Sequence, residues 1–152
     1  MPDFTAGFAA APTEPPAPSS NLPLAIIGGA LAAIVGAVVW AAITIITNFE
    51  VGYVAVGLAF LVGLAVRNLG RGDSQVYGVV GAICSLAGIA LGKIFTLIWF
   101  VADKNSVSVF AAISHIDWGK AIQVIGENLG PIDFVFGFFA IVLGFKYSMR
   151  KE

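Results

Sequence analysis

A chain of 152 residues, 59% apolar and only 11% charged, lies far from the soluble norm of about one quarter charged. The mean hydropathy of +0.94 excludes an ordinary water-soluble domain, and the length permits one domain of about four membrane helices. A formal net charge of −1 without a basic cluster excludes nucleic-acid binding, because several phosphates could not be neutralised.

Residues 1–23, MPDFTAGFAAAPTEPPAPSSNLP, hold six of the seven prolines and no lysine or arginine. Proline fixes φ and lacks an amide donor, so this tail is expected to be extended or disordered. It lacks the basic n-region of a secretory signal, and the apolar run behind it is too long for an h-region. PxxP spacing at Pro12/Pro15 and Pro15/Pro18 offers a docking peptide as an alternative to a plain spacer.

The first span is read at 24–47, 24 residues without a charge, with Pro23 suited to its first turn. Small residues recur every four positions at Gly28, Ala32 and Gly36, and beside them at Gly29, Ala33, Ala37 and Ala41. Lipid tails are as apolar as leucine, so helices in a bilayer associate by close backbone packing, which such ladders allow. Trp40 is expected to approach the interface, where indoles are enriched. The break Thr47-Asn48-Phe49-Glu50 is short enough to make the first two helices antiparallel neighbours. Thr47 or Asn48 is expected to cap the second helix, placing Glu50 in its first turn, where the dipole favours an anion.

The second span is read at 50–67, with a ladder of Ala55, Ala59 and Gly63 expected to meet that of the first span. A polar turn, RNLGRGDSQ at 67–75, leads to a third span at 76–101. That span carries Gly81 and Ser85, then Cys84, Gly88 and Gly92, the last two a literal GxxxG. Nearly every helix here has such a ladder, so packing within the chain is the expected use, ahead of dimerisation. Cys84 has no partner cysteine and reads as a small buried hydrophobe.

Between 103 and 131 the composition turns mixed. Trp118, Ala121, Ile122, Ile125 and Leu129 fall at helical spacing, which predicts an amphipathic helix over about 117–129. It is too short and polar to span, so it is expected to lie in the interface plane with Trp118 as an anchor. Ser114-His115-Ile116-Asp117 has capping-box spacing, and Gly130-Pro131 is a stop signal. The fourth span, read at 132–149, contains Phe134, Phe136, Phe138, Phe139 and Phe145, with Ala140 and Gly144 as its small positions. Lys146, Arg150 and Lys151 are placed to meet headgroups.

With four spans, the 67–75 turn and the C-terminus share a side, holding Arg67, Arg71, Lys146, Arg150 and Lys151 against Lys93, Lys104 and Lys120 opposite. The positive-inside rule then puts both termini in the cytoplasm and the 103–131 segment outside.

The hairpin WAAITIITNFEVGYVAVG (Trp40 to Gly57), VGLAVR (Val62 to Arg67), the glycine-rich third span, and the ending from PIDF (131–134) to GFKY (144–147) resemble a group of small bacterial inner-membrane proteins with four predicted spans. The resemblance covers about two thirds of the chain, leaving out the proline-rich tail and most of 103–131. It implies a bacterial cytoplasmic membrane and a four-helix fold, and it brings no activity with it.

Charge inside a bilayer is costly, which singles out Glu50, Lys93, Asp133 and Lys146. If the third helix is centred near Gly88, the Cα of Lys93 sits about 7 Å from the midplane, within snorkelling reach of the interface. Lys93 is expected to pair with Glu50 or Asp133, with separate interfacial anchoring as the alternative. His115 and Asp117 do not make a metal site without a second histidine, and no nucleophile–base arrangement is recognisable. The sequence therefore predicts an all-α, four-span bundle with an interfacial helix between spans three and four. No catalytic residue, cofactor or metal is expected. Its partners would be the lipid bilayer, other membrane-protein subunits or a second copy. A structural or interaction role leads, and a small transporter or channel formed by oligomerisation is the alternative.

Overall fold

The structure is a computed structural model, and it describes residues 20–49 and 52–149. Among these residues six helices follow in order: α1 (Leu22–Thr47), α2 (Gly52–Gly70), α3 (Gln75–Lys104), α4 (Val109–His115), α5 (Trp118–Glu127) and α6 (Pro131–Ser148). Four of them, α1, α2, α3 and α6, are long and apolar enough to cross a membrane. They run alternately up and down. α2 and α3 touch each other and both outer helices, so α1 and α6 face across the α2–α3 pair.

The packing inverts that of a soluble bundle. Its interior is built largely from alanine and glycine: Ala25, Ala33, Ala37, Ala55, Ala59 and Ala140 are all 2% exposed or less. Large apolar side chains stand outside instead, among them Leu31, Val38, Ile83, Phe134 and Phe138. In water such a surface would be one continuous sticky patch, whereas in lipid it is the expected exterior.

Leu58 and Leu69 of α2 fill the ladder of α1, against Gly36 and Gly28 respectively. The α2 ladder does not meet α1 along its whole length: Gly63 lies against Tyr147 of α6, where a Cβ would come 2.8 Å from the tyrosine Cβ. Tyr147 also stands edge-on to Phe60, ring centroids 4.9 Å apart. The GxxxG of α3 works within the chain, Gly88 receiving Leu58 and Ala33, and Gly92 receiving Trp40. The tightest crossing joins α3 to α6. A Cβ on Gly144 would come 2.6 Å from Ser85 Oγ and 2.8 Å from the Gly81 carbonyl oxygen. Ser85 and Ser148 are fully buried there, and each hydroxyl donates to the carbonyl four residues back, on Gly81 and Gly144. The polar atoms are thereby satisfied without a second helix.

Several boundaries differ from the sequence reading. α2 continues through Arg67 and Leu69 to Gly70, because Leu69 packs on Gly28 and Gly70 is pressed against Ala25 and Tyr77. The polar turn shrinks to 71–74 and starts with Arg71 in the left-handed region at φ 51°. Asn48 closes α1 in the left-handed conformation, φ 53°, and so ends the first helix, while residues 50 and 51, just before α2, lie outside the described residues. α3 extends to Lys104 because its last turns pack beneath α4, where Ile98 and Ala102 meet Ala112. Ser114 does not cap α5. It lies inside α4 and donates to the Phe110 carbonyl, while Asp117 accepts the Gly119 and Lys120 amides at 3.0 and 3.3 Å.

Candidate functional site

One end of the bundle carries residues 20 and 149. There the Asn21 amide donates to the Gly70 carbonyl at 2.8 Å, joining the start of α1 to the end of α2. Lys146 is exposed at this end in the last turn of α6, whereas Arg150 lies outside the described residues. The other, distal end collects most of the polar groups that need explaining.

At the distal end the helices stop at different heights. Lys93, Trp40, Gly52 and Asp133 stand at one level, since Trp40 packs on Gly92 and lines a cavity with Gly52 and Asp133. α2 and α6 begin at that level, but α3 runs eleven residues further, about 16 Å. α4 packs against the extended end of α3, and α5 roofs a space walled by α1 and α3.

Lys93 Nζ lies 3.0 Å from Asp133 Oδ1, the two side chains 10% and 26% exposed. Asp133 is the third residue of α6, and its other oxygen accepts the Gly130 amide at 2.9 Å. A glycine N-cap has no side chain to offer, so the aspartate supplies the reach-back half of a capping box by itself. One carboxylate thus starts α6 and neutralises a cation from α3. Lys93 makes a further interaction besides this pair. Glu50, the other acid expected near it, lies outside the described residues.

Two cavities flank the pair. The smaller, about 150 Å³, lies between Trp40, Gly52, Ala55, Ile89, Asp133 and Phe136. Trp40 is only 4% exposed, in the core and not at the interface, and its indole N–H finds no acceptor among the described residues. The sequence carried a signal for this burial: Trp40 is in register with Ala33, Ala37 and Thr44, the buried stripe of α1. The larger cavity, about 320 Å³, has Lys93, Thr44, Asn48 and Thr96 on the bundle side and Val124, Ile125 and Asn128 as its roof. The Thr96 hydroxyl donates to the Gly92 carbonyl at 2.9 Å, and Asn128 Nδ2 to the Val124 carbonyl at 2.7 Å. Thr44 and Thr96, both nearly buried, escaped the sequence reading because a threonine in an apolar run carries no charge to mark it.

α5 sits loosely on this end. Ala121 is buried and Ile125 half-buried, while Trp118 and Ile122 on the same stripe are 47% and 70% exposed. Its apolar face is therefore split, one edge on the protein and one free for the interface. Among the described residues the distal site offers an ion pair, back-bonded hydroxyls and capping carboxylates. These are positioning chemistry. Comparison with family models, curated proteins and solved structures returned no match.

Proposed function

We propose that this chain is a non-enzymatic four-span membrane protein with a structural or interaction role, an accessory subunit of a membrane complex or a membrane-organising protein. The observation that carries this reading is the lack of enclosure of α6. Only 17% of its membrane-length window is buried, against 28–33% for the other spans, and Phe134, Phe138 and Phe139 face outward. Aromatic side chains lose few rotamers on contact, which suits a helix–helix interface in lipid. The half-free stripe of α5 offers a second exposed apolar surface.

The resemblance to small bacterial inner-membrane proteins supports residence in the cytoplasmic membrane. The lysine and arginine distribution supports cytoplasmic termini, with α4 and α5 outside. The second reading, a transporter or channel formed by oligomerisation, is favoured by one observation, the cavity of about 320 Å³ beside Lys93, where Thr44, Asn48 and Thr96 interrupt a largely apolar lining. Purification in mild detergent followed by mass measurement separates the two. The accessory role predicts a complex with a different subunit at fixed stoichiometry and no solute flux in proteoliposomes. A homo-oligomer whose flux falls on Lys93→Met overturns it.

A further inference from the structure

On the face of the distal end away from α6, a groove of about 350 Å³ runs between Val38 and Ala42 of α1, Phe95 and Trp99 of α3, and Val109 and Ile113 of α4. Its lining is entirely apolar. At Trp99 and Val109 it meets a second recess of about 310 Å³, lined by Asp103, Ser106 and Ser108 at the turn from α3 to α4. Asp103 is exposed, is the one charged residue lining that recess, and makes no ion pair among the described residues.

We propose that these two spaces form one binding site for a single glycerophospholipid with a primary ammonium headgroup, of the phosphatidylethanolamine type. One of its two acyl chains lies in the groove on Ala42 and Phe95, and the other in the surrounding lipid. The ammonium reaches the Asp103 carboxylate and the serine hydroxyls serve the phosphoester. The site's polarity changes in the same order as the lipid's, from an apolar trough to a polar recess across Trp99, whose indole suits the boundary. A carboxylate as the only charge selects a headgroup that donates hydrogen bonds. An anionic headgroup would be repelled, and a quaternary ammonium cannot donate. α4 makes the far wall and is fixed to α3 by Ala112 against Ile98 and Ala102, so the trough is built before lipid arrives.

The test equilibrates the purified chain in mild detergent with equimolar phosphatidylethanolamine, phosphatidylglycerol and phosphatidylcholine, then identifies retained lipid by native mass spectrometry. One phosphatidylethanolamine per chain is expected, preferred roughly tenfold over each competitor, as one charge-assisted hydrogen bond would give. Asp103→Asn should bring the three lipids near parity while one lipid stays bound. Ala42→Trp, at an exposed position, should fill the trough and remove the bound lipid, and Ile113→Trp should block it from the opposite wall. Thermal unfolding in lipid-free detergent checks that each variant is folded. Retention without headgroup preference, a preference untouched by Asp103→Asn, or lipid still bound to both tryptophan variants overturns the proposal.

Discussion

Lys93 and Asp133 are forty residues apart in the chain, yet their charged atoms lie 3.0 Å from each other at the level where α2 and α6 begin. The contact ties the third span to the start of the fourth. Because Asp133 also holds the Gly130 amide, the pair and the helix cap share one carboxylate. A partly enclosed ion pair of this kind is retained for position more than for net stability, since desolvation offsets much of the attraction.

Breaking one side alone should therefore hurt more than removing both. Asp133→Ala is expected to destabilise the bundle by about 1–3 kcal/mol, through loss of the capping acceptor and of a partner for Lys93. In a double-mutant cycle with Lys93→Met the two effects should fall short of additivity by roughly 1 kcal/mol. Reversible unfolding in detergent mixtures measures this. Strict additivity would mean that the 3.0 Å contact carries no coupling.

At the α3–α6 crossing an added Cβ on Gly81 or Gly144 would meet a buried serine hydroxyl and also the backbone of the facing helix, which cannot rotate away. Gly144→Ala should cost about 1–3 kcal/mol, the scale of overpacking. Gly137, on the same helix, has nothing within 4 Å of an added Cβ. Gly137→Ala should be neutral or stabilising by up to about 1 kcal/mol, as helix propensity dictates. Paired melting curves read the contrast.

Trp40 combines a large buried ring with a donor that finds no acceptor among the described residues. Trp40→Ala should cost about 3–5 kcal/mol through the cavity it leaves against Gly92. Trp40→Phe should cost under about 1 kcal/mol, because relief of the unpaired N–H offsets part of the lost volume. Unfolding free energies of the two variants check the asymmetry.

α5 has one buried residue, Ala121, holding it to the bundle. Amide exchange should be fast throughout 118–127 and slow in the central turns of α2 and α3, where Val62, Val66 and Ser85 are enclosed. Exchange mass spectrometry in nanodiscs reports both regions in one experiment.

Much of this architecture is legible from hydropathy, because spans of 18 or more apolar residues have few alternatives. The small-residue ladders are legible as faces, yet their partners are not. Period four marks which side of α2 is narrow, but only the bundle decides that Gly63 meets Tyr147 of α6. The end of α2 is hidden because Arg67 and Asn68 look like loop residues, while the burial of Leu69 and Gly70 depends on α1 and α3. Asp117 and Ser114 both have capping chemistry, and which one serves depends on where α4 stops. Of the distal site, the charges stand out against an apolar background. Trp40, Thr44 and Thr96 blend into it.

In the proposed topology four crossings put α4 and α5 on the side of the membrane opposite the termini. A reporter enzyme active only outside the cytoplasmic membrane measures it directly, fused after Glu152 in one version of the chain and inserted within the 105–108 turn in another. High activity from the turn insertion and none from the Glu152 fusion is the predicted result. Strong activity from the Glu152 fusion, or equal activity from both, would contradict it.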